Sequence, residues 1–91
     1  MTKTIERTNR FKKEYKLMKA RGKDISKLTF VLNLLLEESP LPIKCRDHKL
    51  SGNYEGWREL HIEPDWLLIY KVSKTEIWLD RTGTHSDLFD K

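Results

Sequence analysis

The fold of this chain is decided by residues 56–71, which read GWRELHIEPDWLLIYK. The stretch predicts two strands, 57–62 and 66–72, separated by three residues that include a proline and favour a turn. A third strand candidate, 75–81, follows after two further residues. Connections this short require antiparallel neighbours, so the sequence predicts a three-stranded meander.

Two amphipathic helices are predicted upstream of the meander. The first, 10–20, has Asn9 as its candidate N-cap and Gly22 as its stop, and the second runs from Asp24 to about residue 38. Because about three residues join them, we expect an antiparallel helical hairpin. Both helices carry apolar side chains at helical spacing, which should face the core: Phe11, Tyr15, Leu17 and Met18 in the first, then Ile25, Leu28, Val31, Leu32 and Leu35.

The remaining segments complete an α+β domain. Residues 2–7 alternate weakly and form a candidate first strand, residues 46–56 are polar and predict a loop, and residues 82–89 predict a turn and a short C-terminal helical turn. The order β-α-α-β-β-β predicts an antiparallel sheet packed against the N-terminal helical hairpin. Residues 1–91 are too few for two separate cores, so we expect a single domain.

Composition excludes several classes of protein. The chain contains one cysteine, Cys45, which rules out an intrachain disulfide and a zinc cage built of thiolates. Its apolar runs are far shorter than the roughly 20 residues of a membrane span, and its first residues lack the apolar segment of a signal peptide. We therefore expect a cytoplasmic protein without a membrane partner.

Basic residues are concentrated in the first half of the chain. The net charge is +4, and residues 1–45 carry eleven Lys or Arg against five Asp or Glu. This pattern leaves two interpretations open, a surface that contacts nucleic-acid phosphates and a solvated helix face. The basic residues of the predicted helices are Lys12, Lys13, Lys16, Lys19, Arg21, Lys23 and Lys27.

All three histidines, His48, His61 and His85, lie in the acidic second half. In a meander, the turn after the His61 strand, which contains Asp65, reaches the same sheet edge as Arg81 at the end of the last strand. We therefore expect these side chains to converge with His85, and the loop of His48 to fold over them. Each residue also has an ordinary structural interpretation, as a surface or core histidine, a turn aspartate or a salt-bridge arginine.

Such a group suits two kinds of chemistry. Three imidazoles and a carboxylate can bind zinc, although their spacing matches no standard zinc motif. Imidazoles also act as general acids and bases near neutral pH, and a nearby guanidinium stabilises the charge of a phosphorane-like transition state. Acid–base chemistry beside an arginine suggests a metal-independent ribonuclease.

Three ordered motifs are the most specific signal in the chain. They are D-H-x-L-x-G at 47–52, R-x-x-H-x-x-P-D-W-x-L-x-Y at 58–70 and R-x-G-x-H-x-x-L-F at 81–89. In this order they closely resemble the YafQ branch of the RelE/ParE toxin superfamily, over nearly the whole chain. The resemblance implies a RelE-like fold and a bacterial toxin of a type II toxin–antitoxin system.

The resemblance also implies an activity and partners. Toxins of this branch are mRNA interferases, endoribonucleases that cut mRNA in the ribosomal A site without a metal or another cofactor. A cognate antitoxin wraps and inhibits the toxin, and the pair often binds its own operator DNA.

By motif, His48, His61, Asp65 and His85 match the proposed catalytic group of the branch. The resemblance implies that His85 is the general acid, and that His61 or Asp65 serves or supports the general base. Arg81 would then stabilise the transition state, and His48 would orient or stabilise the phosphate.

The resemblance further implies residues that shape the site or contact RNA. Trp66 and Phe89 match positions with this role. The basic helices would contact 16S ribosomal RNA rather than the message, through Lys12, Lys13, Lys16, Lys19, Lys23 and Lys27.

Two other functions stay open at this point. A toxin that occupies the A site or another target, such as gyrase, without cleavage predicts growth arrest with intact mRNA. A zinc-binding domain built on the three histidines and Asp65 predicts stoichiometric metal and loss of activity with a chelator.

Overall fold

The computed structural model describes residues 3–89 as a five-stranded sheet with two long helices and a short third helix after the last strand. The strands are β1 (Thr4–Arg7), β2 (His48–Lys49), β3 (Arg58–Glu63), β4 (Trp66–Val72) and β5 (Glu76–Gly83). The helices are α1 (Asn9–Ala20), α2 (Ile25–Leu36) and α3 (His85–Phe89), and short 3-10 turns form at Ile43–Cys45 and Gly52–Tyr54. None of the helices within 3–89 is long and apolar enough to cross a membrane.

The strands lie in the order β1-β5-β4-β3-β2. β3, β4 and β5 form the expected antiparallel meander. β1 instead pairs in parallel with β5, because the long segment between them provides the crossover that parallel strands need, so the sheet is mixed rather than wholly antiparallel. The predicted loop contains β2, which pairs with β3 although its two polar residues carry no strand pattern.

Side-chain hydrogen bonds determine where α1 and α2 begin. α1 begins one residue earlier than predicted because the Thr8 hydroxyl, and not Asn9, accepts from the Phe11 amide at 3.0 Å. Asp24 caps α2 as predicted and accepts from the Ser26 amide.

The first core cluster lies between α1, α2 and the sheet. Met18 and Leu28 are 0% and 2% exposed, as their helical spacing predicts. Four expected members differ. Leu17 is 44% exposed, and three others are only partly buried against the cluster, namely Tyr15, Ile25 and Leu32. β4 contributes Trp66, Leu68 and Tyr70 to this cluster.

β4 is buried on both faces of the sheet. Leu67 and Ile69 point away from α1 and α2, as alternation along a strand requires, and pack with Leu88 of α3. Partly buried side chains from the segment before β3 pack against the same cluster: Leu50, Tyr54 and Trp57. This second face of the sheet also carries the candidate site.

A bulge in β5 determines which side chains reach the second face. Leu79 pairs with Tyr70 and Arg81 pairs with Ile69, so Asp80 is an extra residue on β5. Because successive side chains alternate between faces, this extra residue turns Arg81 toward the second face. In a regular strand Arg81 would instead share the face of Leu79, among the core side chains.

Candidate active site

The register of the sheet brings most candidate residues onto its second face. Side chains directly opposite one another on neighbouring strands share a face. One such row contains His48, Glu59, Ile69 and Arg81, and the next contains His61, Leu67 and Gly83. The β3–β4 turn with Asp65 and the start of α3 with His85 follow this second row.

His85 and Asp65 form a hydrogen-bonded pair. Asp65 Oδ1 accepts from the His85 backbone amide at 2.9 Å and lies 2.6 Å from the ring Nδ1. Because a carboxylate only accepts, Nδ1 carries the proton of this pair, and Nε2 is the nitrogen available to a substrate. The hydrogen bonds from the His85 backbone and ring hold the pKa of Asp65 below its usual value. The side chains are 49% and 65% exposed, so a substrate can reach the pair.

The first turn of α3 holds His85 in position. The Thr84 hydroxyl accepts from the Asp87 amide at 3.2 Å, and the Asp87 carboxylate accepts from the Thr84 amide at 2.9 Å. This is a reciprocal capping box. Asp87 also pairs with Arg21 at 2.7 Å, and this hydrogen bond is the main reason that the pKa of Asp87 falls to about 2. α3 is therefore attached to α1 as well as to β5.

His61 lies beside this pair. Its ring centroid is 5.8 Å from that of His85, with the two planes tilted by 45°. Its Nδ1 atom is buried and has no hydrogen-bond partner within residues 3–89. The predicted convergence of His61, Asp65 and His85 is confirmed, whereas their chemical roles stay a prediction.

His48 does not fold over the other histidines from a loop. It lies on β2, where Nδ1 is 2.7 Å from the Arg46 backbone oxygen and Nε2 is 3.4 Å from Oε1 of Glu59. The preceding residue, Asp47, accepts from the Arg58 guanidinium at 2.8 Å, which ties β2 to β3. The prediction of a covering loop is wrong because strand pairing holds His48 in the sheet.

Arg81 reaches the second face but is already paired with Glu14. Its Nε donates to Glu14 Oε2 at 3.0 Å, and Nη2 binds the same oxygen. Nη1 and Nη2 also lie 3.4 Å from the backbone oxygens of Leu88 and Asp87. The hydrogen bonds with Glu14 raise the pKa of Arg81, and the Arg81 side chain is 17% exposed. Arg81 is therefore a salt-bridge arginine, as its ordinary structural interpretation has it, and its role in stabilising the transition state stays a prediction.

The residues predicted to contact RNA fall into buried, paired and exposed groups. Trp66 is 0% exposed and its indole N–H donates within the core, so its side chain leaves no surface for RNA, and a role in shaping the site stays a prediction. Lys23 and Lys27 both bind Glu63, at 3.3 and 2.8 Å. Phe89 is 38% exposed. The exposed lysines on α1 are Lys12, Lys13, Lys16 and Lys19.

Sequence reasoning missed three acidic residues that hold the site. Glu14 binds Arg81, Glu59 faces His48, and Asp87 caps the helix that begins at His85. Strand alternation could have indicated Glu59, because it precedes His61 by two residues and shares its face. Glu14 carries no such signal, since it lies among the lysines of a helix.

The side chains of the site contact one another and the backbone. In the part of the chain that the structure describes, no group of three or more His, Cys, Asp or Glu is arranged to hold a metal ion.

A family model described as "Bacterial toxin of type II toxin-antitoxin system, YafQ" matches residues 3–90. This chain belongs to the YafQ family. It is therefore a toxin of a type II toxin–antitoxin system, as its three motifs indicate.

Relatives of this YafQ-family chain are similar along nearly their whole length. The mRNA interferase toxin YafQ of Escherichia coli strain K12 is 43% identical over 86 residues, covering 93% of this chain and 94% of that protein. A chain of the E. coli DinJ-YafQ toxin–antitoxin complex is 41% identical with a TM-score of 0.89, covering 98% of this chain and 99% of its own length. A metal-bound toxin from Helicobacter pylori is 40% identical with a TM-score of 0.89, covering 98% and 100%. The expected α+β fold is confirmed by these structures.

Proposed function

We propose that this chain is an mRNA interferase, a ribosome-dependent and metal-independent endoribonuclease that cuts mRNA in the ribosomal A site and inhibits translation. The observation that carries the proposal is the exposed His85–Asp65 pair beside His61. The E. coli relative named mRNA interferase supports it.

In this proposal His85 is the general acid. Its Nδ1–H is held by Asp65, so the Nε2–H of the imidazolium is free to protonate the leaving 5′-oxygen. Asp65 has a lowered pKa, stays ionised at neutral pH and stabilises the imidazolium. The same pair also fixes the orientation of the ring, since the carboxylate accepts from both the backbone and the side chain of His85.

His61 is the proposed general base, with Asp65 as the alternative. It removes the proton from the ribose 2′-hydroxyl, whose oxygen attacks the adjacent phosphorus while the bond to the 5′-oxygen breaks. The products are a 2′,3′-cyclic phosphate and a 5′-hydroxyl that carries the proton from His85. The two rings, 5.8 Å apart, are close enough to act on one phosphodiester.

Cationic groups stabilise the charge that develops on the phosphate. His48 is exposed and is one such group. Arg81 is the other, but Glu14 neutralises it, so direct contact requires the phosphate to displace Glu14.

The proposed partners are a cognate antitoxin and the ribosome. The E. coli DinJ-YafQ complex supports an inhibitory antitoxin, and the toxin–antitoxin pair is proposed to bind operator DNA. The exposed lysines of α1 are proposed to bind 16S ribosomal RNA through its phosphates, in the cytoplasm where ribosomes act on mRNA.

The test is primer extension on a defined mRNA in a purified translation system. We expect the wild type to cut at A-site codons with or without a chelator, and His85→Ala to leave the mRNA intact. Asn33→Ala, an exposed change on α2, is the matched control and should cleave like the wild type.

Each other outcome contradicts part of the proposal. Inhibited translation with intact mRNA would make the wild type a binding inhibitor. Cleavage that a chelator abolishes would indicate a metal-dependent enzyme. The metal-bound H. pylori relative is the reason for testing this alternative. Cleavage by His85→Ala would exclude His85 as the general acid.

A further inference from the structure

Glu59 is a buried carboxylate on the face that carries the candidate active site. Its side chain is 7% exposed and lies directly opposite His48 on β2. Oε1 is 3.4 Å from Nε2 of His48, while Oε2 is buried and has no hydrogen-bond partner between residues 3 and 89. Burial of an ionised carboxylate is costly unless a cation or hydrogen-bond donors are close. A positive charge on His48 would therefore stabilise this carboxylate.

His48 faces an acceptor at each ring nitrogen. Nδ1 is 2.7 Å from the backbone oxygen of Arg46, and because a carbonyl oxygen only accepts, Nδ1 carries a proton. In a neutral ring, Nε2 would then be a bare lone pair 3.4 Å from the Glu59 carboxylate. Two acceptors would then lie 3.4 Å apart. A second proton on Nε2 removes this conflict and gives the buried carboxylate a cation.

We propose that Glu59 is a positioning residue that holds His48 as a doubly protonated imidazolium, presented to the substrate phosphate as a fixed positive charge. The catalytic meaning of this inference rests on the proposed ribonuclease function. An imidazolium cannot accept a proton, so His48 is not the general base. His61 and Asp65 remain for that role.

A charged His48 supplies a positive charge that Arg81, which is paired with Glu14, does not. Both residues lie in the same row across four strands, His48 at one end and Arg81 at the other. Three strand spacings separate their backbones by about 14 Å. Arg81 is neutralised by Glu14 and 17% exposed, whereas the His48 side chain is 49% exposed. The substrate phosphate therefore meets its positive charge on the β2 side of the site.

Nitrogen-15 NMR of the free toxin at pH 7 tests the protonation state without a ribosome. We expect both ring nitrogens of His48 to be protonated in the wild type, and Nδ1 alone to be protonated in Glu59→Gln. Glu55→Gln is the matched control, because Glu55 is an exposed glutamate in the segment between β2 and β3. It should leave the His48 signals unchanged.

Two results would overturn the inference. One is a neutral His48 in the wild type, whether Nε2 is bare or accepts from a protonated Glu59. The other is an imidazolium that persists in Glu59→Gln. If Glu59→Gln does not fold, the wild-type spectrum still decides whether His48 is an imidazolium. Glu59→Asp keeps the negative charge and should therefore keep the imidazolium.

Cleavage kinetics test the catalytic meaning. We expect Glu59→Gln to lower kcat about tenfold or more with little change in KM for mRNA-programmed ribosomes, since a charge acting on the transition state affects kcat. Glu59→Asp should restore most of the activity. An unchanged kcat in Glu59→Gln would overturn the catalytic role. A wild type that does not cleave would instead refute the proposed function, while the NMR result would still decide the state of His48.

Discussion

At the level of single residues, three basic groups of the site each lie against an acidic one. Arg81 pairs with Glu14, His48 faces Glu59, and His85 binds Asp65. The acidic partner determines what the basic group can do, because it neutralises Arg81, orients His85 and, in our proposal, keeps His48 charged. The chemistry of this face thus depends on carboxylates as much as on histidines.

Glu14→Ala tests the Arg81 pair. Glu14 accepts from the Arg81 guanidinium and, at 3.2 Å, from the Thr82 backbone amide, so its loss leaves two mostly buried donors without this partner. We expect the free energy of unfolding to fall by about 1.5–3 kcal/mol, measured by urea denaturation. Glu37→Ala, at an exposed position after α2, is the control. Equal stability of the two variants would contradict a structural role for the pair.

At the level of elements, α3 is the segment that places His85 in the site. It contacts the rest of the molecule through the Asp87–Arg21 pair, the burial of Leu88 and the close approach of Asp87 to Gly83. A five-residue helix is too short to be stable alone, so these contacts maintain it. Weakening any of them should move His85 before it unfolds the sheet.

Gly83→Ala tests the close approach. A Cβ at this position would lie 2.9 Å from the Asp87 Cβ, which forces α3 to shift. We expect the free energy of unfolding to fall by about 1–3 kcal/mol. Cleavage activity should fall by more than the loss of folded protein accounts for. Gly22→Ala is the control, since Gly22 has a φ of 86° but an added Cβ meets nothing within 4 Å. It should lose stability through backbone strain and keep its cleavage activity.

The pH dependence of stability tests the Asp87 pair. The pKa of Asp87 is lowered from 3.8 to about 2, chiefly by the hydrogen bond with Arg21. A lowered pKa means that the stabilisation is fully present above about 3.8 and is lost as the pH falls toward about 2. Urea denaturation should show the wild type more stable than Asp87→Asn at pH 7, with a difference that shrinks through this range. A difference that is constant with pH would contradict the ion pair.

At the level of the whole molecule, the sheet has an apolar cluster on each face. The larger one, under α1 and α2, provides the core, and the smaller one, around Leu67 and Ile69, supports the face with the candidate site. The larger apolar cluster and the candidate site therefore lie on opposite faces of the sheet. Changes in the first cluster should lower stability without altering the site geometry.

Leu28→Ala and Leu32→Ala test this core. Leu28 is 2% exposed, so its truncation should cost about 2–5 kcal/mol of unfolding free energy, measured by urea denaturation. Leu32 has the same helical spacing but is only partly buried, so its loss should cost less. Phe30→Ala, at a side chain that is 55% exposed, is the control. A larger effect at Leu32 than at Leu28 would contradict this description of the core.

The sequence by itself determined the meander, the two helices and the grouping of His61, Asp65 and His85. These features depend on local signals, because short turns impose antiparallel pairing and the helical period marks the buried face. The three motifs determined the family.

The tertiary structure alone decided the parallel pairing of β1, the bulge at Asp80 and the partners of Arg81 and His48. Glu14 and Arg81 are 67 positions apart, and no local pattern encodes a contact over that distance. A bulge adds one residue without changing the apolar pattern before it, yet it moves every later side chain to the other face. The sequence determined which groups could react, and the packing of distant segments decided which of them are free to do so.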